Sequence, residues 1–390
     1  MPMKATLFKN GRIYLDGRFQ QGDLLVQDGK IQAFSTLAAA DVQQVELDGR
    51  LMVPGFIDIH THGGDGVDVN GADKEGFCQI GRFFASHGVT GWLCSILTDT
   101  EEQTLKSIAQ ARAAMADSEK GAQLLGIHLE GPFLSAQYKG AMPEYLLQSG
   151  NENLFHRYQQ AAQGAIRYMT VSPEVEGVVD MIAALRDQVA IAIGHSGADY
   201  ETACAAIDAG ACACTHTFNA MGLFHQHRPG IMGAVLERDV YCEAICDGRH
   251  LHPGSVRMLL ACKGYDRVVA ITDSIQAAGL PDGRYKLGVN DVVVVDGDAK
   301  LVDTGVRAGS TLTMDQALKN LVRFTGQPVE RILPLLTLQP AKVIGMDQEK
   351  GSIAPGKDGD LVVLNDALDV METYIAGVQV YAGKEKQEEN

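Results

Sequence analysis

The chain has 390 residues and a formal net charge of −16, with 46% hydrophobic and 21% charged residues. This length suits one barrel of roughly 250 residues plus a smaller module. The acidic balance argues against nucleic acid and anionic membranes as partners. We also expect neither a membrane span nor a signal peptide, because long apolar runs are missing. The eight cysteines form no CxxC pair, which favours free thiols in a reducing cytoplasm.

The first 50 residues alternate apolar and polar side chains between turn signals. Asn10-Gly11, Asp16-Gly17 and Asp28-Gly29 are typical of hairpin turns, so we expect β-hairpins here. The end of the chain repeats this style in GSIAPGKDGDLVVLN and ETYIAGVQVYAGK. We therefore predict a small β-sandwich domain built from residues 1–53 and 345–390, with residues 54–344 as a separate domain.

The middle of the chain repeats a unit of apolar strand, polar loop and amphipathic helix. Helical spacing of apolar residues appears in KEGFCQIGRFFASHG, EEQTLKSIAQARAAMA, EVEGVVDMIAALRD and DYETACAAIDAG. Continuous apolar strands that alternate with helices indicate a parallel sheet covered on both faces. Eight such strands predict the α/β class and a (β/α)₈ TIM-like barrel. The predicted strands are residues 55–60, 91–97, 123–130, 165–171, 189–195, 211–216, 240–247 and 267–273.

Potential metal ligands follow five of these strands. In a barrel the carboxyl ends of all strands meet on one face, so these side chains should converge. Imidazoles and carboxylates together suit Zn²⁺, and also Fe²⁺, Mn²⁺ or Co²⁺. A carboxylate on the eighth strand can act as a base. The residues at strand ends are His60, Glu130, His195, His216 and Asp273, and His62 follows His60 by two positions.

The alternative interpretation is structural, because a single histidine at a strand end is usually only a hydrogen-bonded core or surface residue. Five strands that end in the same ligand types favour a metal site instead. The other histidines do not share this pattern. We expect His87 to be structural, His156 to be solvated and His128 to be packed, whereas His252 stays open.

Several segments resemble the N-acetylglucosamine-6-phosphate deacetylases of the amidohydrolase superfamily. They are PGFIDIHTHGGDG, LGIHLEGPFLS, IGHSGADY, THTFNAM, CDGRHLHP, VAITDS and AGSTLTMDQAL. ITDSIQAAGLPDGRY is also similar to the N-acetylgalactosamine-6-phosphate deacetylase branch. The resemblance implies that Glu130, His195 and His216 hold the main metal ion. It implies further that His60 and His62 can hold a second ion, and that Asp273 is the general acid and base.

The same resemblance implies the substrate contacts, with two departures from the family pattern. Members of the family have the sequence K-G-A-H-P. This chain has Met142 in the position of the histidine, and methionine cannot donate a hydrogen bond. Members of the family also have the sequence H-R-E-P-G. This chain has His227 in the position of that arginine, and its own arginine, Arg228, follows one residue later. These changes affect the recognition of a 6-phosphate more than the deacetylation. The implied substrate contacts are Ala141, Asn219, Ala220, His227, Arg228, His250 and Leu312.

The implied activity is deacetylation of a small amino sugar, an N-acetylhexosamine 6-phosphate, with one or two divalent ions, Zn²⁺ first among them. A homodimer is implied as well, since the family takes its phosphate-binding arginine from a neighbouring subunit. Deacetylation of an unphosphorylated N-acetylhexosamine, or hydrolysis of another N-acyl amide, is the alternative. A binding or scaffold protein without catalytic activity is a further alternative. Such a protein would be expected to have lost metal ligands or Asp273, and this chain has them all. The sequence does not choose between gluco and galacto sugars.

Overall fold

The computed structural model of the chain describes residues 5–35, 42–116 and 121–383. Residues 1–4, 36–41 and 384–390 of the predicted small domain lie outside the described residues. None of the helices in the described part combines the length and the hydropathy that a membrane span requires.

The first strands form one part of an outer sheet. β1 pairs antiparallel with β2, and β2 pairs antiparallel with β3, across turns at Asp16-Gly17 and Asp28-Gly29. The prediction of a turn at Asn10-Gly11 was wrong. This pair lies within β1, where the register shifts between Phe8 and Gly11, so the chain bulges and the strand continues. The strands are β1 (Ala5–Leu15), β2 (Arg18–Gln27), β3 (Lys30–Ser35), β4 (Gln43–Glu46) and β5 (Leu51–Pro54).

The predicted eight-stranded barrel is confirmed. Eight parallel strands follow one another in the order β15-β14-β13-β12-β11-β10-β9-β6. The first and last strands meet where the Asp273 backbone N–H donates to the carbonyl of His60 at 2.9 Å. A two-residue ribbon, β7 with β8, follows the first barrel strand. The strands are β6 (Phe56–Thr61), β7 (Gly63–Gly64), β8 (Val67–Asp68), β9 (Val89–Leu97), β10 (Gln123–Glu130), β11 (Ile166–Val171), β12 (Ala190–Ile193), β13 (Ala213–Cys214), β14 (Tyr241–Ile245) and β15 (Val268–Ile271).

Helices cover the barrel, and polar side chains cap the start of several of them. Asp73 and Asp199 each accept a hydrogen bond from a backbone N–H in the first turn of their helix. The four predicted helices are present as α1, α2, α4 and α5. The helices are α1 (Lys74–Ser86), α2 (Glu101–Met115), α3 (Glu152–Ala161), α4 (Val178–Leu185), α5 (Tyr200–Ala209), α6 (Gly230–Glu237), α7 (Pro253–Lys263), α8 (Met314–Thr325), α9 (Val329–Ile332) and α10 (Leu338–Val343), and the 3₁₀ turns are Ala136–Tyr138, Glu144–Leu146 and Leu333–Leu336.

Six further strands follow the barrel strands. The first three form a separate antiparallel sheet, called the flap sheet below: β16 (Gly283–Leu287), β17 (Asn290–Val295) and β18 (Asp298–Leu301). The last three complete the outer sheet, and they are β19 (Leu361–Leu364), β20 (Val370–Ile375) and β21 (Val378–Ala382). β19 pairs antiparallel with β5, so both ends of the chain join one sheet, as the sequence predicted. The exact domain boundaries stay a prediction.

Candidate metal centre

Six side chains meet inside the carboxyl end of the barrel. His60 lies in β6, His62 directly follows the end of β6, and Glu130 ends β10. The other three follow β12, β13 and β15 by two residues each, as the strand topology requires. All six are buried, with at most 7% of any residue exposed. They are His60, His62, Glu130, His195, His216 and Asp273.

The six residues form two sets, each able to hold a metal ion. We call Glu130, His195 and His216 the glutamate group, and His60, His62 and Asp273 the aspartate group. Within each group, one ligand atom of every residue lies within 4.8 Å of the others. His216 Nε2 lies 2.9 Å from His195 Nε2, and His60 Nε2 lies 3.3 Å from His62 Nε2.

Glu130 lies between the two groups. Its Oε1 atom is 3.1 Å from His195 Nε2 and 3.3 Å from His216 Nε2. The same atom is 3.3 Å from His60 Nε2, and Oε2 is 3.2 Å from His62 Nε2. One carboxylate therefore lies within hydrogen-bonding distance of histidines from both groups.

Hydrogen bonds to backbone carbonyls turn two of the rings so that Nε2 faces the centre. His195 Nδ1 lies 2.8 Å from the carbonyl of Tyr138, and His62 Nδ1 lies 2.9 Å from the carbonyl of Ser95. A carbonyl only accepts, so Nδ1 is the donor in each bond and Nε2 is left to face the centre. This is the orientation that metal-binding histidines take.

The buried carboxylates of the centre favour the binding of positive charge, either protons or a cation. Burial alone would lower the pKa of His62, but hydrogen bonds to Asp273 and Glu130 raise that pKa to about 9. Burial also acts against the charged form of His60, yet the carboxylates of Glu243 and Glu130 raise its pKa well above the ordinary value. For Glu130, burial is outweighed by the surrounding imidazoles, which lower its pKa strongly. A divalent cation would replace such protons, so this donor set fits a metal ion.

Three of the six residues have unusual backbone conformations. His195, His216 and Asp273 have φ angles of 48°, 25° and 50°, in the left-handed region. Such conformations cost free energy in residues other than glycine and persist where the surrounding structure holds them. Here they turn the side chains inward just beyond each strand.

Two buried acidic residues near the centre were not predicted from the sequence. Glu243 in β14 lies 2.9 Å from His60 Nδ1. Asp58 in β6 accepts hydrogen bonds from the hydroxyl of Thr272 and the backbone N–H of His60. A signal was present, because each is an acid within an apolar strand, where an unpartnered carboxylate would be costly.

Four further histidines belong to neither ligand group. His128 is buried and bonded to the hydroxyls of Ser95 and Thr170 at 2.8 Å each. His87 caps the end of α1, and His252 caps the start of α7, where its ring accepts from a backbone N–H. His156 is exposed on α3. The expectations for His128, His87 and His156 agree with these positions.

A cavity of about 560 Å³ opens above the centre. The loop that contains Tyr138 forms one side, and the flap sheet with the segment after it forms the other. Four of the predicted substrate contacts line this cavity, namely Ala141, Asn219, Ala220 and His250. His250 Nδ1 lies 2.7 Å from Asp247 Oδ2, which leaves its Nε2 free to face a ligand.

Three predicted contacts do not line this cavity in the single chain. His227 and Arg228 line a separate surface pocket of about 460 Å³ next to the start of α5, because their loop runs outward after Met221. Leu312 is buried and lines a different surface pocket. Met142, which departs from the family pattern, lines the cavity while packing in an apolar cluster with β16 and β17.

The lysine and arginine side chains that line the described part of the cavity are Lys139 and Arg307. Arg307 is paired with Asp298 at 2.7 Å. Lys139 Nζ donates to the carbonyl of Met142 at 3.3 Å, and no ion pair of Lys139 occurs among the described residues. Lys139 is therefore free to meet an anion.

Known proteins match almost the whole chain. The model of the amidohydrolase family matches residues 51–380. The chain is 35% identical over 374 residues to the N-acetylglucosamine-6-phosphate deacetylase of Bacillus subtilis (strain 168), with 94% of each chain covered. It is also 35% identical over 367 residues to the N-acetylgalactosamine-6-phosphate deacetylase of Escherichia coli O157:H7, covering 93% of this chain and 95% of that one.

Solved structures match as closely. The N-acetylglucosamine-6-phosphate deacetylase of Pasteurella multocida superposes with a TM-score of 0.91 at 29% identity, over 98% of this chain and 100% of that one. A Mycobacterium smegmatis enzyme, an aspartate-to-alanine variant in complex with N-acetyl-D-glucosamine-6-phosphate, gives a TM-score of 0.89 at 32% identity, covering 97% and 99%. Both superpositions include the barrel and the outer sheet.

Proposed function

The chain belongs to the amidohydrolase family, and we propose that it removes the acetyl group from an N-acetylhexosamine 6-phosphate. The products are acetate and the amino sugar phosphate. The observation that carries this proposal is the position of Asp273, whose Oδ1 lies 3.1 Å from His62 Nε2 at the floor of a sugar-sized cavity. The names of the relatives supply the substrate class.

The glutamate group is the first candidate to hold a divalent ion, and the aspartate group can hold a second. Zn²⁺ suits these imidazole and carboxylate donors best, and Fe²⁺, Mn²⁺ or Co²⁺ are the alternatives. An ion bound here supplies polarisation of the acetyl carbonyl and makes the attacking water more acidic.

Asp273 moves the proton in this proposal. Burial would raise its pKa, but the hydrogen bond to His62 and the charge of His60 lower it. The side chain is therefore a carboxylate that can accept a proton from the attacking water at Oδ1. It then donates this proton to the nitrogen of the leaving amine.

The cavity wall orients the sugar. His250 is held through Nδ1 by Asp247, so its Nε2 is positioned to form a hydrogen bond with the sugar. Asn219 and the backbone of Ala220 line the same cavity and can bind sugar hydroxyls. Lys139 supplies a positive charge for the phosphate from this chain.

We further propose a homodimer that works in the cytoplasm. Arg228 lies away from the cavity of its own chain, which is compatible with a role in the cavity of a second copy. Leu223 and Phe224, on the same loop, are 90% and 58% exposed, so this loop offers apolar surface for such a contact. All eight cysteines are free thiols, which suits a reducing compartment.

A substrate panel tests the proposed function. N-acetylglucosamine and N-acetylgalactosamine would each be supplied with and without the 6-phosphate, and released acetate and metal content measured on the same sample. We expect kcat/KM to be highest for a phosphorylated sugar. Equal or better turnover of the unphosphorylated sugars would favour the alternative deacetylase, which the buried Met142 also favours. No acetate release from any of the four by metal-loaded protein would refute the proposal.

A further inference from the structure

Glu243 is a buried acid that the proposed reaction does not use. It lies in the middle of β14, between apolar neighbours, and only 1% of it is exposed. A carboxylate in such a place is costly unless hydrogen bonds and nearby positive charge compensate for its lost hydration. Its partners therefore indicate what it does.

The partners of Glu243 belong to both ligand groups. Its Oε2 atom lies 2.9 Å from His60 Nδ1 and accepts a hydrogen bond from the backbone N–H of His216, also at 2.9 Å. His60 is part of the aspartate group, and His216 is part of the glutamate group. One oxygen atom thus holds one residue of each group.

Each of these bonds orients a ligand. A proton on His60 Nδ1 that is donated to Glu243 leaves the lone pair of Nε2 directed at Glu130 and His62. The bond to the His216 backbone holds this residue in its left-handed conformation, with φ at 25°, and so directs its ring inward.

The second oxygen of Glu243 has no such bond. Glu243 Oε1 and the hydroxyl of Tyr168 are both buried without a hydrogen-bond partner among the described residues. Tyr168 lies nearby, since burial and the charge of Glu243 raise the pKa of its hydroxyl well above the usual value. Both hydrogen bonds of Glu243 Oε2 therefore go to ligand residues.

We infer that Glu243 is a positioning residue that couples the two ligand groups and that the aspartate group needs it to bind an ion. Loss of a carboxylate partner behind a ligating histidine typically weakens metal binding by about 10- to 100-fold. This inference rests on the proposed metal site. It does not depend on the acetyl group or the phosphate.

The test measures metal affinity without substrate. Full-length protein would be stripped of metal and titrated with Co²⁺ against a chromophoric chelator, and the visible spectrum of bound Co²⁺ recorded. Glu243→Gln keeps the shape of the side chain and removes its charge. We expect the weaker-bound ion to lose about 10- to 100-fold in affinity and its Co²⁺ spectrum to change.

A second variant and a matched control complete the design. Glu243→Asp keeps the charge, but its carboxylate is one methylene shorter and should not reach His60, so the same ion should bind more weakly. Asp360→Asn removes another buried acid, which pairs with Lys350 at 2.6 Å away from the centre. It should lower the melting temperature and leave both affinities unchanged.

Wild-type affinity for both ions in folded Glu243→Gln or Glu243→Asp would overturn the inference. An equal loss of affinity in Asp360→Asn, or uptake of one ion only by the wild-type protein, would overturn it too. Two tightly bound ions without any deacetylation would instead refute the proposed function alone, so the two failures can be told apart.

Discussion

The floor and the wall of the cavity are built in different ways. The floor consists of side chains that follow parallel strands, and each is buried and bonded, as His195 is to Tyr138 and His60 to Glu243. The wall consists of the loop around Lys139 and the segment around Arg307, which are half-buried or exposed. The rigid part can hold reacting groups in place, whereas the exposed part can change without loss of the fold. Chemistry and substrate choice are therefore located in separate regions.

A substitution at the floor of the cavity should have the largest effect on turnover. Asp273→Asn removes the proposed proton acceptor with little change of shape, and we expect kcat to fall by about 10²- to 10⁴-fold. The ion of the glutamate group, measured by mass spectrometry on the same sample, should stay bound because all three of its ligands remain. Near-normal turnover in this variant would mean that the role of Asp273 is assigned wrongly.

A change at the outer loop should affect binding and leave the chemical step intact. We expect Arg228→Ala to raise KM for a phosphorylated sugar by about tenfold, the cost of one charge-assisted contact, with little change for the unphosphorylated sugar. Steady-state kinetics on both sugars measures the difference. Arg18→Ala, at an exposed arginine of the outer sheet, is the matched control. Equal effects on both sugars would show that Arg228 does not contact the phosphate.

The smallest expected effect is the pH dependence of the stability of the metal-free protein. The folded pKa of His62 is about 9, above the ordinary 6.5, so its contacts with Asp273 and Glu130 stabilise the metal-free protein fully below about pH 6.5. That contribution is lost as the pH rises through about 9. Between these values, calorimetry should show a fall in melting temperature of roughly 5 °C. The metal-loaded protein should show a much smaller fall, and identical slopes for both forms would contradict this account.

The floor of the site could be predicted from the sequence, because strand topology alone brings strand ends together. His60, Glu130 and Asp273 were each recognisable as polar residues that end an apolar run. Strand topology places these residues together across more than 200 positions of sequence, whatever direction the loops take.

The wall could not be predicted in this way. The direction of the loop with Arg228 depends on its packing and on any partner chain, and neither leaves a periodic pattern. The flap sheet was missed although VVVVDGDAKL contains a hairpin signal, because its strands lie outside the repeat of barrel strand and helix. Asn10-Gly11 was misread because the same dipeptide suits a bulge and a turn.

The pairing of β5 with β19 has a consequence for synthesis. Leu51–Pro54 binds Leu361–Leu364, so two neighbouring strands are separated by roughly 300 residues of chain, a contact that is slow to form. While the ribosome is still making the barrel, the hydrogen-bonding edge of β5 has no strand to cover it. Such an open edge invites aggregation, and a nascent chain that stalls before residue 361 would remain in this vulnerable state.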